Sequence, residues 1–212
     1  MSWKKLINKV NQMDALELLK MIPDKSIDLV LTDPPYGIGI DGQKMSLNKN
    51  PKVNRKNHDF KGWDNKIPNK EIFKEIFRVS KNQIVFGANY FNEYLKQGCK
   101  GWIIWDKRQR GLTMSDCEII YSSFNKATRI YTFNRCELKT DGSFHPTMKP
   151  LKLISKIIKE NSEDDDIILD CFMGSWTTAV ACQNLKRNFI GCELDKDYCA
   201  IGKQRLRQMT LL

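Results

Sequence analysis

The sequence predicts an α/β fold built on a largely parallel sheet. Three observations carry this. Short apolar, β-branched runs read as buried strands: Ile27–Thr32 (IDLVLT), residues 166–170 (DIILD) and Asn188–Glu193 (NFIGCE). Segments with apolar residues at helical spacing lie between such runs, among them Ile72, Phe73, Ile76, Phe77 and Val79. Strands and helices therefore alternate, with no internal repeat or low-complexity tract.

In chain order, Ile27–Thr32 is stopped by Asp33-Pro34-Pro35. Residues 37–70 then hold Lys44, Lys49, Lys52, Arg55, Lys56, Lys61 and Lys66 among Gly, Asn and Pro, with little periodicity. They read as one long basic loop, a length that is usually functional or disordered. Regular structure resumes at Asn69 with a helix. Residues 83–87 read as a strand, 90–96 as a helix and 101–105 (GWIIW) as a strand. Residues 106–111 (DKRQRG) form a second basic loop, 118–122 and 129–133 two more strands, and 134–144 an irregular stretch. Pro150 opens a helix at its first turn, where proline fits, with Leu151, Ile154, Ile157 and Ile158 as its apolar face. Strand 166–170, a helix over 177–186, strand Asn188–Glu193 and a helix over 196–208 complete the pattern.

A chain of 212 residues fits a single domain that buries a full core without disulfides or a structural metal. No apolar run approaches the length of a membrane span, and residues 1–10 lack the apolar core of a signal peptide. Seven scattered cysteines form no Cys-x-x-Cys pair and there are two histidines, so no zinc site is expected and the thiols read as reduced, in a cytoplasm. Lys and Arg number 35 against 25 Asp and Glu, a formal charge of +10. That excess suits a polyanion, of which nucleic acid is the commonest; the plain alternative is a protein that is merely basic.

Two motifs carry chemistry. Residues 168–179 (ILDCFMGSWTTA) read as strand, tight glycine loop and helix, and backbone N–H groups at such a helix start favour anionic groups. The next strand ends in Glu193, nineteen residues after Gly174, where an acid suits the hydroxyls of a ribose. The loop is neither Gly-x-Gly-x-x-Gly nor a phosphate-binding Gly-Lys-Ser/Thr loop, so a nucleoside-type cofactor is favoured over a dinucleotide or ATP. The second motif, Asp33-Pro34-Pro35-Tyr36, leaves a strand at its carboxyl end, where open α/β sheets bind ligands. Two prolines stiffen the turn, so Asp33 and the Pro34 carbonyl form two preset acceptors beside the aromatic face of Tyr36. An exocyclic amino group on a planar base needs that arrangement; a polar turn with a packed tyrosine is the bland reading.

Thr32-Asp33-Pro34-Pro35-Tyr36-Gly37, His145-Pro146-Thr147-Met148-Lys149-Pro150, Leu169-Asp170-Cys171-Phe172-Met173-Gly174-Ser175 and Phe189-Ile190-Gly191-Cys192-Glu193-Leu194-Asp195 together resemble the DNA amino-methyltransferases that use S-adenosylmethionine. The catalytic motif precedes the cofactor loop, which resembles the circularly permuted β group of that family. The resemblance implies a Rossmann-like methyltransferase domain over residues 1–212, with 37–70 and 106–144 as inserted loops for target recognition. It implies transfer of a methyl group from S-adenosylmethionine to the N6 amino group of a flipped adenine in a short duplex DNA sequence. Asp33 and Pro34 would accept from that amino group, Pro35 would stiffen the motif and Tyr36 would stack on the base. Asp14 would meet the cofactor adenine and Glu193 its ribose. Phe172, Gly174, Ser175 and Thr177 would line the cofactor, with Thr147 and Lys149 at its methionine end and His145 in a positioning role. The resemblance also implies a restriction-modification setting, a bacterial or phage-infected cytoplasm, no metal and no membrane, with a homodimer as a further expectation.

Asp at position 33 favours adenine-N6 over cytosine-N4, which stays the alternative base. Trp176 stands where the family loop carries glycine. We expect it to pack outside the site, since a helix-start residue need not have positive φ; if it instead filled the methionine site, the chain would be a non-catalytic DNA-binding relative. Asp170 reads equally as a cofactor contact or a strand-end cap. Trp102, Trp105, Phe73 and Phe77 read as core by their periodicity. Trp63 reads equally as a DNA contact or as loop packing. Lys and Arg of the two basic loops are candidates for phosphates, and Arg108 or Arg110 for guanine edges.

Overall fold

The computed structural model describes residues 2–41, 60–111, 115–134 and 148–209. Its elements are β1 (Lys9–Gln12), α1 (Ala15–Lys20), β2 (Ile27–Thr32), α2 (Lys70–Val79), β3 (Ser80–Phe86), β4 (Ile103–Asp106), β5 (Cys117–Ser122), β6 (Arg129–Thr132), α3 (Leu151–Asn161), β7 (Ile167–Asp170), α4 (Thr177–Asn184), β8 (Asn188–Glu193) and α5 (Lys196–Met209). One eight-stranded sheet runs in the order β1-β8-β7-β2-β3-β5-β4-β6. Only β5 runs against its neighbours, so the sheet is largely parallel, as expected.

Alternating side chains serve both faces of the sheet. Leu29 and Leu31 of β2, Ile168 of β7 and Phe189 of β8 join a core with α3, α4 and Cys199 of α5. Val30, Leu169 and Ile190, each one residue out of step, join a second core with α1 and α2. The buried face of α2 (Ile72, Phe73, Ile76 and Val79) contributes roughly 2 kcal/mol per side chain by the area it removes from water. Trp105 and Phe73 are buried and Trp102 and Phe77 pack against the core, as their periodicity implied. Among the described residues, no helix is long and apolar enough to cross a membrane.

One local reading needs correction, and one stretch left unassigned proves structured. Residues 90–96 are not a helix: a single 3-10 turn over Ala88–Tyr90 is followed by bends and turns. The apolar spacing there is real, since Phe91 and Leu95 are buried with Phe73 and Tyr121, but turns deliver it. The amino-terminal stretch holds β1 and α1, which its mixed polar pattern did not announce. Asp14 caps α1 by accepting from the N–H of Leu16 at 2.8 Å.

Connections set the site. From β7 the chain passes through α4 to β8 on one side of the sheet; from β2 it passes through α2 to β3 on the other. The strand order therefore reverses between β7 and β2, and a crevice opens at their carboxyl ends.

Candidate active site

A cavity of about 690 Å³ occupies that crevice. Every strand that ends there contributes. β2 delivers Asp33, Pro34, Pro35 and Tyr36; β7 delivers Phe172, Gly174, Ser175 and Thr177; β8 delivers Glu193; and the turn after β1 delivers Asp14. Lys149, just before α3, also lines it. Eleven positions expected at the site thus share one cavity. His145 and Thr147 lie outside the described residues, as do most lysines of the first basic loop.

The loop after β7 is tied down by carboxylates. Glu193 accepts from the N–H of Gly174 and of Asp195, both at 2.7 Å. Burial raises its pKa against those two hydrogen bonds. Asp170 is buried and accepts from Thr32 Oγ1 at 2.8 Å, Phe172 N–H at 3.0 Å and Thr178 Oγ1 at 2.7 Å. Burial pushes its pKa up to about 6 despite these donors. Its observed contacts are those of a strand-end clamp, one of the two roles open to it. From behind, Arg205 of α5 donates to the Ser175 carbonyl and, at 3.2 Å, to Thr177 Oγ1.

Trp176 departs from expectation in one respect and meets it in another. Its φ is +64°, in the left-handed region, so the position does require positive φ, at a cost of about 1–3 kcal/mol for a non-glycine residue. The indole is nevertheless directed away from the cavity. It is 3% exposed and packs on Gly202 of α5, where an added Cβ would lie 2.1 Å from Cδ2. Trp176 is not among the side chains that line the cavity. It does not fill the site, and the reading of a relative blocked by this residue is overturned.

Charge is concentrated at the DPPY turn. Lys149 is 7% exposed and its Nζ lies 2.5 Å from Asp33 Oδ2 and 3.4 Å from Glu118 Oε2. The Tyr36 hydroxyl donates to Asp33 Oδ1 at 2.5 Å and lies 3.3 Å from Glu118 Oε2. Lys107 completes the cluster, 2.9 Å from Glu118 Oε1. Burial raises the pKa of Asp33, with Lys149 opposing and Glu118 adding to the rise. Burial also favours the neutral forms of Glu118 and Lys149, but the opposite charges outweigh it: Glu118 is held below, and Lys149 above, its ordinary value. Lys149 thus pairs with Asp33 and Glu118 while its side chain also lines the cavity. Glu118 and Lys107 were not foreseen; they are distant in sequence and meet the motif only through the pairing of β5 with β3 and β4.

Tyr36 is held on one face by Tyr90, stacked at 4.8 Å with planes 10° apart. Gly87, at φ +67°, lets the ring approach: a Cβ there would stand 2.3 Å from it.

The two ends of the first basic loop are stitched over the cavity. Asp64, fully buried, accepts from the N–H of Gly37 at 2.8 Å and Ile40 at 2.9 Å. Asp41 accepts from the N–H of Lys61 at 2.8 Å and Trp63 at 3.2 Å. Lys61 is not a free phosphate contact: its ammonium binds Asp195 and Asp197 at 2.7 Å and lies over Tyr198. Trp63 lines the cavity at this loop base. In the second basic loop, Arg110 pairs with Asp106 at 2.9 Å, and Arg108 is exposed.

Comparison with known proteins agrees with this geometry. The model of the N6/N4 DNA methylase family matches residues 105–204. Type II methyltransferase M1.MboII of Moraxella bovis is 27% identical, covering 97% of this chain and 98% of its own. Type II methyltransferase M.HinfI of Haemophilus influenzae is 28% identical, covering 96% and 69%. Among solved structures, the M1.HpyAVI–SAM complex superposes with a TM-score of 0.62 at 24% identity, covering 93% of this chain and 98% of that one. The cytosine-N4-specific PvuII DNA methyltransferase reaches 0.63 at 18%, covering 93% and 85%. Both share the fold. With the DPPY turn and the glycine loop on one cavity, the chain is similar in sequence and in fold to the N6/N4 DNA methylases.

Proposed function

We propose that this protein is a DNA methyltransferase that moves the methyl group of S-adenosylmethionine to the N6 amino group of adenine within a short duplex sequence. One observation carries the reading: the Asp33–Pro34 acceptors stand on the same cavity as the glycine loop and Glu193. The residues present suit the cofactor. The cavity volume falls within the ordinary range for small-molecule sites, about 300–1,000 Å³. Asp14 and Glu193 are acceptors for amino and hydroxyl groups, and Phe172 and Leu194 add apolar surface.

When bound, the cofactor supplies an electrophilic methyl on a sulfonium. The protein's part is positioning and electrostatics. The target base leaves the stack, since its amino group is out of reach inside a duplex. Asp33 and the Pro34 carbonyl accept the two amino hydrogens and so aim the nitrogen lone pair at the methyl. Tyr36, braced by Tyr90, offers an aromatic surface to the base. The +10 charge and the basic stretches 37–70 and 106–111 favour the DNA backbone. So small a chain leaves little surface for target recognition, which favours a short site or a homodimer. Relatives named as Type II methyltransferases support a modification role in a restriction-modification system.

The test is nucleoside analysis of duplex DNA incubated with the protein and labelled S-adenosylmethionine. N6-methyladenine supports the reading. N4-methylcytosine overturns the assignment of the base, and no methylated nucleoside on DNAs of varied sequence overturns the activity.

A further inference from the structure

Glu118 lies outside the DPPY turn and does not line the cavity, yet its carboxylate spans the cluster that surrounds Asp33. Its Oε1 takes Lys107, and its Oε2 faces both groups that bind Asp33, Lys149 Nζ at 3.4 Å and the Tyr36 hydroxyl at 3.3 Å. Two carboxylates and two ammoniums, the ammoniums buried and the carboxylates partly so, balance to zero. Such a quartet is poor evidence of stabilisation, because an apolar cluster of similar volume often serves as well or better. What it controls is the charge and the lone pairs of Asp33, the member of the quartet's carboxylate pair that borders the cavity.

We propose that Glu118 is a positioning residue for methyl transfer, offering the Lys149 ammonium and the Tyr36 hydroxyl a second acceptor so that Asp33 can exchange them for the target amino group. This rests on the reading of Asp33 as the amino-group acceptor. Without Glu118, two cations would face one carboxylate. Lys149 Nζ and the Tyr36 hydroxyl already contact one oxygen each of Asp33 at 2.5 Å, and without Glu118 they would have no second acceptor to turn to as the target amino group arrives.

The groups around Asp33 give the direction of the test. Lys149 and Tyr36 bind it, Glu118 repels it, Asp170 is a further carboxylate nearby, and Lys107 stands behind Glu118. Replacing Glu118 by Gln keeps the shape and removes a negative charge, so Asp33 ionises at lower pH. Replacing Lys107 by Met leaves Asp33 and Glu118 to share one ammonium, so the pair ionises at higher pH.

The experiment measures kcat/KM for DNA methylation against pH in wild type, Glu118→Gln and Lys107→Met, with S-adenosylmethionine affinity and the NMR titration of Asp33 13Cγ alongside. The acid limb is expected to move down by about one pH unit in Glu118→Gln and up in Lys107→Met, with the plateau rate of Glu118→Gln at least ~10-fold lower. Cofactor affinity is expected within about 3-fold of wild type, since Glu118 is not in the cavity wall. Limbs that stay in place or move together overturn the proposal, as does a loss of cofactor binding that parallels the loss of rate. If the wild type methylates no DNA, the functional reading fails and the proposal with it. The NMR midpoints of Asp33 then show separately whether the electrostatic coupling exists.

Discussion

Gly202→Ala is the substitution whose outcome the packing decides most sharply. In an exposed helix interior, Gly to Ala is worth up to about 1 kcal/mol in favour of Ala. At position 202 of α5 the new methyl would meet Trp176 Cδ2 at 2.1 Å, Cγ at 2.2 Å and Cε2 at 2.5 Å. Those atoms belong to a rigid, buried ring, so no flexible tip can swing away. Relief requires moving the Trp176 backbone, which is already left-handed and starts α4, or shifting α5 off the sheet. Overpacking of this kind costs about 1–3 kcal/mol and more where backbone must yield, so the clash outweighs the propensity gain. We expect a net loss of about 3 kcal/mol, which for a chain of this size lowers Tm by roughly 6–12 °C. Urea and thermal unfolding read the loss directly. Because Ser175 and Thr177 flank the indole in sequence and line the cavity, S-adenosylmethionine affinity should fall with it. In a Trp176→Ala background the same Gly202→Ala change should cost little, giving a coupling of at least about 1 kcal/mol. A Gly202→Ala protein within about 2 °C of wild type, or losses that simply add, would refute the reasoning.

Asp170 gives a pH prediction. Its folded pKa of about 6 lies above the ordinary 3.8, so its contribution favours the fold fully below about pH 4 and is lost as pH rises through about 6. Two units correspond to about 3 kcal/mol, so Asp170→Asn, compared with wild type by urea unfolding, should gain stability at pH 8 relative to pH 4 by up to that amount; parallel pH dependences would show that burial does not perturb this carboxyl. Asp64→Ala removes the buried acceptor of two backbone N–H groups and should cost about 3 kcal/mol while weakening cofactor binding, since residues 61–64 line the cavity. A loss below about 1 kcal/mol would show that the loop base closes without it.

Local signals made much of the site readable from sequence. β2, β7 and β8 are apolar runs that end in turn-forming or acidic residues, so their carboxyl ends, and with them Asp33, Gly174 and Glu193, could be placed before any contact was known. What was hidden depends on contacts between distant residues. Glu118 reads as a polar residue at the start of a strand; only the insertion of antiparallel β5 between β3 and β4 turns it towards Lys149. Trp176 at a helix start gives no sign of φ, because the notch that receives its ring lies on α5, 26 residues on. Residues 90–96 carry helical spacing, yet Gly87 in the left-handed region turns the chain and the apolar side chains reach the core from turns. Lys61 looked like one more cation of a basic loop until Asp195 and Asp197 were found beside it.

The most direct test of the account is a single-turnover experiment. Protein preloaded with labelled S-adenosylmethionine is mixed with methylatable duplex DNA, and the label in DNA is followed for wild type and Asp33→Ala. The account predicts one methyl transferred per wild-type site and a rate at least ~100-fold lower in Asp33→Ala, with cofactor binding retained. Equal rates in the two proteins would contradict the claim that Asp33 and the Pro34 carbonyl aim the amino group at the methyl.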